Sequence, residues 1–225
     1  MNTGQKLVYT TFLTLLVSAF VCTQSTTVAA ADTRGIAPTA EEIDPVKAGE
    51  MAPRFTVRTV DDEPFVFDPA RLDKPAILIT FRGGWCPYCN LHLSELRHVV
   101  PTLEEQGIDV YFLSGDRPEL LSASLQQETR EDIEGMGYTI LSDADMAASM
   151  ALGIAFRVDD GIFDYFEEKG RDVEGSSSVQ HKALPVPAVY VIDDDGMVTY
   201  SFVEPDYKVR LSADDLLEAA SEVAD

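Results

Sequence analysis

Two cysteines separated by two residues are the clearest candidates for chemistry in this sequence. Cys86 and Cys89 stand in "AILITFRGGWCPYCN", residues 76–90, where an apolar run is followed by two glycines and a tryptophan. The pair could be a redox centre, half of a metal site, or two unreactive core cysteines. Cysteines at this spacing directly after a predicted strand are typical of thiol redox chemistry.

A metal site and an unreactive core pair both fit these residues less well. A structural zinc site needs four ligands, and His92, His98 and His181 follow no zinc-binding spacing relative to the cysteines. We therefore expect no metal and no other bound cofactor. Unreactive core cysteines are disfavoured because Cys86 falls between a strand and a helix, at the sheet edge where open α/β folds place reactive groups.

The residues around the pair fit a redox role. Unpaired backbone N–H groups at a helix N-terminus favour an anion, so we expect a depressed pKa for Cys86 and an ordinary pKa for Cys89. Pro87 suits the first turn, where its missing N–H has no partner to lose. Cys89 falls on the same side of the helix, within reach of a disulfide. We expect Cys86 to attack and Cys89 to resolve.

Strand and helix patterns alternate along the chain. They predict a hairpin over residues 55–68, strands over 76–81, 108–114 and 138–143, and a strand hairpin over 188–203; they predict helices over 87–106, 117–132, 144–154 and 212–224. Residues 157–182 contain a possible short helix and a Gly/Ser loop. This order predicts an α/β fold with a central mixed β-sheet flanked by helices, consistent with a thioredoxin-like fold that carries an N-terminal hairpin extension and an insertion.

The N-terminus differs from the rest of the chain. A single lysine is followed by an apolar stretch and by "VAAADT", which predicts a signal peptide over residues 1–31, cut near Ala31. We therefore expect an exported protein, periplasmic or secreted, that touches a membrane only through this segment if it stays uncleaved. Cleavage would also remove Cys22, the third cysteine. Residues 32–47 are expected to form a flexible leader before one domain over residues 48–225.

The overall charge excludes some partners. Asp and Glu number 39 against 17 Lys and Arg, giving a formal net charge of −22. Nucleic acids and anionic membranes bind clustered basic residues, so we expect no nucleic-acid partner.

Three segments together resemble the AhpC/TSA (peroxiredoxin-like) branch of the thioredoxin superfamily. They are "WCPYC" after an apolar strand, "LPVPAVYVID" about a hundred residues later, and "KAGEMAPRFTVRTVDDEPFVF", in which Gly49, Pro53 and Phe55 stand at typical positions. The resemblance implies that Pro187 is the cis-proline that faces the disulfide. It also implies a peroxide or protein-disulfide substrate and a thioredoxin-like electron donor.

The sequence departs from that family at two positions. Typical peroxiredoxins carry a Pro seven residues and a Thr or Ser three residues before the attacking cysteine, where this chain has Ile79 and Gly83. The arginine that polarises the peroxide also has no clear counterpart. Arg82 and Arg157 are candidates by charge alone.

Three functions follow from these observations. The leading hypothesis is a peroxiredoxin-like enzyme in which Cys86 and Cys89 reduce peroxides. The alternatives are a protein-disulfide oxidoreductase that uses the same cysteines and a binding module without catalysis. Trp85, Gly84 and Arg82 are weaker candidates for shaping the substrate site, and His92 is expected to be an exposed helical residue.

Overall fold

The computed structural model describes residues 1, 34–121, 139–170, 172, 173, 175–177 and 181–224. Apart from Met1, the predicted signal peptide lies outside the described residues, as does most of the helix predicted over residues 117–132. Within the described part, no helix is long and apolar enough to cross a membrane. Nor do these residues gather three or more acidic, histidine or cysteine side chains into a possible metal site.

A seven-stranded mixed sheet occupies the centre of the fold, with the strand order β2-β1-β5-β4-β3-β8-β9. Its strands are β1 (Phe55–Arg58), β2 (Pro64–Phe67), β3 (Ala76–Phe81), β4 (Asp109–Ser114), β5 (Thr139–Ser142), β8 (Ala188–Ile192) and β9 (Val198–Val203). Two further strands, β6 (Ala155–Arg157) and β7 (Ala183–Pro185), form a separate antiparallel pair.

β3 lies inside the sheet and ends next to the cysteine pair. It runs parallel to β4 and antiparallel to β8. All six of its residues are buried, because both faces of the sheet are covered there. β4 and β5 are also parallel, while β8 and β9 form the antiparallel pair expected near the C-terminus. The predicted thioredoxin-like arrangement is therefore confirmed, including the N-terminal hairpin of β1 and β2.

Five described α-helices accompany these strands: α1 (Pro87–Leu96), α2 (Val100–Glu105), α3 (Ala147–Ala151), α4 (Asp160–Glu168) and α5 (Ala213–Ala220). The single helix predicted over residues 87–106 is wrong, because the structure ends α1 at Leu96 and starts α2 at Val100. Pro101 explains the break. It has no N–H to donate to the preceding turn, and its ring would collide with that turn in a continuous helix.

The two faces of the sheet bury separate cores. On one face, alternate residues of β3 such as Ile77 and Ile79 pack with Leu93 and Leu96 of α1 and Leu216 of α5. On the other face, Leu78, Leu141 and Tyr190 pack against α3 and the N-terminal segment. Successive strand residues point to opposite faces, so one apolar strand supplies both cores.

Part of the leader that we expected to be flexible is docked in this structure. Within residues 34–47, the Ala37 N–H donates to the Ala155 carbonyl at 2.9 Å, and the Val46 N–H donates to the Leu152 carbonyl at 3.0 Å. The Val46 side chain is buried in the second core. The docked part of the leader therefore supports β6 and the end of α3.

Candidate active site

Cys86 and Cys89 lie where β3 gives way to α1. Cys86 is the N-cap of α1, Pro87 is its first residue, and both thiols are buried and not bonded to each other. The Cys86 carbonyl accepts the N–H groups of Cys89 and Asn90, each at 3.1 Å. These bonds close the first turn with both thiols at its start, which is the placement that the spacing predicted.

The loop before Cys86 is held from two sides. On one side, a carboxylate oxygen of the buried Asp116 accepts the Gly84 N–H at 2.7 Å. On the other side, the Asn90 amide donates to the carbonyls of Gly84 at 2.7 Å and Cys86 at 2.9 Å. Gly84 is thus a buried structural residue, and the substrate-shaping role suggested for it does not follow from these contacts.

Gly83 occupies a backbone conformation that favours glycine. Its φ is +143°, and a Cβ built on it would lie 2.5 Å from Nε1 of Trp85 and 2.7 Å from a carboxylate oxygen of Asp116. The indole of Trp85 therefore packs directly over the glycine. Any side chain at position 83 would have to displace the indole.

Arg82 is partly buried and lines the same cleft as Cys86. Its Nε donates to the Pro185 carbonyl at 3.4 Å, and its Cζ lies 4.6 Å from the centre of the Tyr207 ring. Burial lowers the pKa of Arg82, while the attraction of Cys89 and then of Cys86 opposes that shift. Arg82 thus shares a cleft with Cys86 and lies near enough to both cysteines to interact with them electrostatically. Arg157, the other candidate, is exposed at the end of β6.

A second arginine, Arg210, was missed by the sequence analysis. Its Nη2 lies 3.5 Å from the sulfur of Cys89, although the two residues are 121 positions apart. Arg210 precedes α5, in a segment without any motif that points to the cysteines. Only the folded arrangement of α1 and α5 brings it to the pair.

The two thiols share a proton in a way that differs from the prediction. Burial opposes ionisation of Cys89, but the hydrogen bond from the Cys86 thiol and the charge of Arg210 lower the pKa of Cys89 to about 6. Donating that hydrogen bond, together with burial, raises the pKa of Cys86. Ionisation is therefore a property of both sulfurs together, and the expected depression of the Cys86 pKa is not seen while the Cys86 thiol donates to Cys89.

His92 is buried and does not have the exposed position that we expected. Its Nε2 lies 3.0 Å from the Leu211 carbonyl, to which the neutral ring can donate. Burial, aided by the nearby charge of Arg210, lowers the pKa of His92 to about 4. The ring is therefore neutral at physiological pH, and it ties α1 to the segment that carries Arg210.

Pro187 begins the buried segment that leads into β8, beside the end of β3. The described chain contains no cis peptide bond, so the cis bond predicted between Val186 and Pro187 is wrong. The Val186 N–H donates to the Ile154 carbonyl at 2.9 Å, and the Thr80 hydroxyl accepts the Ala188 N–H at 2.9 Å. These bonds hold the segment extended on both sides of Pro187, with a trans bond between them.

A cleft of about 230 Å³ opens onto Cys86. Its lining consists of Arg82, Trp85, Cys86, Pro87, Tyr88, Tyr165, Phe166 and Tyr207. A neighbouring cleft of about 360 Å³ shares Arg82, Tyr165, Phe166 and Tyr207 and adds apolar residues such as Ile162 and Leu184. Among the described residues, Cys89 lines neither cleft. A substrate in this space would meet Cys86 first.

Helix α4 forms one wall of that cleft, which sequence reasoning did not foresee. Phe163 and Phe166 of this helix pack against a small core of Val158, Val173 and Leu184. Phe166 also contacts Trp85 edge to face at 5.1 Å between ring centres. The amphipathic pattern of α4 was a usable signal, but its target could not be read from local sequence.

Comparison with known proteins fits this site. A family model described as AhpC/TSA family matches residues 48–201. Peroxiredoxin Bcp of Escherichia coli (strain K12) is 27% identical over 112 residues, which is 50% of this chain and 67% of that protein. The thiol-disulfide oxidoreductase ResA of Halalkalibacterium halodurans is 24% identical over 108 residues, covering 48% of this chain and 57% of that protein.

Solved structures agree at the level of the fold. The peroxidoxin BcpB from Mycobacterium tuberculosis superposes with a TM-score of 0.55 at 17% identity, covering 79% of this chain and 96% of that chain. The mixed sheet, the cysteine pair at the start of α1 and the match over residues 48–201 lead to one conclusion: this chain is a member of the AhpC/TSA family, with a thioredoxin-like fold.

Proposed function

We propose that the protein reduces hydroperoxides by cycling Cys86 and Cys89 between two thiols and a disulfide. The observation that carries this proposal is that the two cysteines occupy different positions relative to the cleft. Cys86 opens onto the cleft beside the guanidinium of Arg82, and Cys89 lies behind it next to Arg210. The similarity to peroxiredoxin Bcp supports the same reaction.

The reaction takes place in two steps. The Cys86 sulfur attacks the outer oxygen of ROOH, so that an S–O bond forms, the O–O bond breaks, and the alcohol ROH leaves with the proton of Cys86. The Cys89 thiolate then attacks the sulfenic acid, forming the disulfide and expelling hydroxide. Arg82 would stabilise the negative charge that develops on the leaving oxygen. Two electrons pass from the pair to the peroxide.

The apolar lining of the cleft favours an organic hydroperoxide over hydrogen peroxide. Aromatic and apolar side chains make up most of its lining. Hydrogen peroxide would gain nothing from this apolar surface, whereas an organic group would bury area there. We therefore expect cumene hydroperoxide to react faster than hydrogen peroxide.

Exchange with protein disulfides is the second candidate. Gly83 supplies no hydroxyl to orient a peroxide, and the same cleft could receive a side chain next to a partner's disulfide. The similarity to the thiol-disulfide oxidoreductase ResA favours this alternative. It would use the same two cysteines and pass through a mixed disulfide with the partner.

Replacing Cys89 by Ser separates the two reactions. A peroxidase then consumes about one equivalent of peroxide and stops as a sulfenic acid on Cys86, which dimedone labels. A disulfide oxidoreductase stops instead as reducible mixed disulfides with proteins. Cys86→Ser is the matched control, in which neither product should form. Protein adducts without any peroxide-dependent dimedone label would overturn peroxide reduction in favour of exchange.

We further propose that a thioredoxin-like donor restores the two thiols and that the protein acts after export. The donor is expected to reduce the disulfide by exchange at Cys86, the sulfur that reaches the cleft. N-terminal sequencing of the protein from its natural host tests export. A mature chain that starts near residue 32 supports it, and an intact N-terminus in the cytosol contradicts it.

A further inference from the structure

The cleft at Cys86 continues into the larger, more apolar cleft beside it. The larger cleft, of about 360 Å³, shares Arg82 and three aromatic side chains of the smaller one, so the two spaces lie side by side along these residues. Its remaining lining residues are all apolar and include Ala40, Phe156 and Ile162. A group attached to an oxygen atom at Cys86 can therefore extend into the larger cleft.

The charges around the larger cleft suit an apolar occupant. Among its described lining residues none is Asp or Glu, although the chain carries 39 acidic residues against 17 basic ones. Its one charged lining residue, Arg82, lies against aromatic rings, with Cζ 4.6 Å from the centre of Tyr207 and 5.6 Å from that of Phe156. An apolar group would bury area in this space without removing water from a carboxylate.

One wall of the larger cleft comes from the N-terminal segment over residues 34–46, which we call the strap. Ala40 begins a short 3₁₀ turn of the strap, Ala40–Glu42, and lines the cleft. The strap precedes residues 48–201, the part of the chain that matches the AhpC/TSA family model. This wall of the cleft is therefore not part of the region that the family model describes.

The strap is fixed to the fold on both sides of Ala40. Before Ala40, the Ala37 carbonyl accepts the Arg157 N–H at 2.8 Å, and Ala37 forms a parallel bridge with β6. After Ala40, the backbone of Asp44 lies so close to Gly153 that a Cβ at position 153 would collide with the Asp44 carbonyl. Ala40 is therefore held between two docked points of the strap.

We propose that the larger cleft is the subsite for the organic group R of the hydroperoxide ROOH, and that Ala40 of the strap limits the size of R. The –OOH group lies at Cys86, and R lies in the larger cleft along the wall formed by α4. The small side chain at position 40 leaves room for a ring in R, whereas a large one would fill that room. The inference rests on the proposed reduction of hydroperoxides and adds where R binds and which residue restricts it.

The first test measures binding without any reaction. The probe is cumyl alcohol, the product that cumene hydroperoxide would leave, added to the reduced full-length chain. Binding is followed by the fluorescence of Trp85, which is the only tryptophan in the sequence and lines the cleft at Cys86. We expect Ala40→Phe to raise the Kd at least about tenfold, because the added ring occupies the space that the probe needs.

Glu41→Phe is the matched control for this test. It adds the same ring at the next residue of the strap, where the side chain is exposed and is not part of the cleft lining. We expect its Kd to stay within about twofold of the wild-type value. A wild type that binds no cumyl alcohol, or equal Kd values for Ala40→Phe and Glu41→Phe, would overturn the proposal.

Ile162→Asp decides the question if Ala40→Phe does not fold. Ile162 lines the larger cleft from α4, and its side chain is exposed, so a substitution there does not open a core. We expect cumyl alcohol to bind at least about fivefold more weakly, because the probe would have to displace water from the new carboxylate. Unchanged binding in this variant would contradict the proposal without any change at position 40.

The second test measures selectivity in the reaction, with dithiothreitol as the reductant. We expect Ala40→Phe to lower kcat/KM for cumene hydroperoxide at least about tenfold and to leave kcat/KM for hydrogen peroxide, which has no R group, within about twofold. Equal losses for both peroxides would mean that the ring disturbs Cys86 itself and would contradict the subsite. A wild type that reduces neither peroxide would refute the proposed function, and the binding test would still support or overturn the subsite.

Discussion

Cys89 and Asp143 are two buried acids near the starts of helices, and their surroundings shift their pKa values in opposite directions. Asp143 accepts the N–H groups of Ala148 at 2.7 Å and Ser149 at 2.9 Å, and the Ser149 hydroxyl at 2.6 Å. These partners are all neutral, and burial still raises the pKa of Asp143 to about 7. Cys89 accepts a hydrogen bond from the Cys86 thiol and has the charge of Arg210 beside it, and together these lower its pKa to about 6 despite burial.

The difference shows what each kind of partner achieves. Neutral donors satisfy the oxygens of Asp143 and order the start of α3, but they do not fully replace the water that a charge has lost. At Cys89 the hydrogen bond from the Cys86 thiol is joined by the full opposite charge of a guanidinium, and the two together favour ionisation despite burial. The first arrangement supports the fold, and the second prepares a reactive sulfur.

The largest expected effect separates reaction from structure. Cys86→Ser should lower peroxide consumption by at least about a thousandfold because the attacking atom is gone. Asp143→Asn should leave the rate per folded molecule within about twofold, since Asp143 has no contact with the pair. The rate is followed with cumene hydroperoxide and dithiothreitol as the reductant. Substantial turnover in Cys86→Ser would mean that another group attacks.

The next largest effect is on stability. Asp143→Asn places an amide N–H₂ group among N–H and O–H donors, so we expect a loss of about 1–3 kcal/mol in the free energy of unfolding. Urea unfolding followed by circular dichroism measures this loss. Asp145→Asn is the control, because Asp145 is exposed on the same turn. Equal losses in both variants would show that burial of Asp143 does not matter.

The pH dependence of stability should have opposite signs at the two sites. Asp143 has a raised pKa in the folded protein, so its contribution is present below about pH 4 and is lost as pH rises to about 7. Wild type should therefore lose stability relative to Asp143→Asn over that range, by at most about 1.4 kcal/mol per pH unit.

Cys89 has a lowered pKa, so its contribution is present above about pH 8.5 and is lost as pH falls through about 6. Reduced wild type should gain stability relative to Cys89→Ser as pH rises from 6 to 8. Urea unfolding at each pH gives both differences. If both stability differences changed with pH in the same direction, the pKa values of Asp143 and Cys89 would not be shifted in opposite directions.

The smallest effect comes from removing a single donor. Ser149→Ala deletes the hydroxyl bond to Asp143 but keeps both backbone donors, so we expect a loss of about 1 kcal/mol. Comparison with Asp143→Asn in the same urea series shows how much of the stabilisation by the Asp143 carboxylate comes from the hydroxyl bond and how much from the two backbone bonds. A loss in Ser149→Ala as large as that in Asp143→Asn would mean that the hydroxyl alone holds it.

Features carried by neighbouring residues could be predicted from the sequence. The apolar run over residues 76–81 is β3, and the residues after it place Cys86 at the start of α1 as expected. Pro101 was also readable as a helix break, although the apolar spacing around it suggested one continuous helix. Short-range patterns were therefore enough to predict the strand and helix that position the site and the two cysteines in it.

Features that depend on distant segments could not be predicted. Arg210 reaches Cys89 from 121 residues away, and the segment that covers His92 is equally remote in the chain. The wall supplied by α4 and the trans bond before Pro187 also follow from how separate segments pack. The electrostatics of the pair are thus a property of the tertiary structure, because the charge of Arg210 comes from a distant segment.

The geometry around Gly83 restricts how this site can change by mutation. The position corresponds to the Thr or Ser of typical peroxiredoxins, but a side chain there would meet the Trp85 indole and the Asp116 carboxylate, and would also require an unfavourable φ. A single substitution therefore cannot restore the hydroxyl without disturbing the loop. Positions 83, 85 and 116 form a mutational unit, so a descendant of this chain reaches the usual peroxiredoxin arrangement only through coordinated changes at several of them.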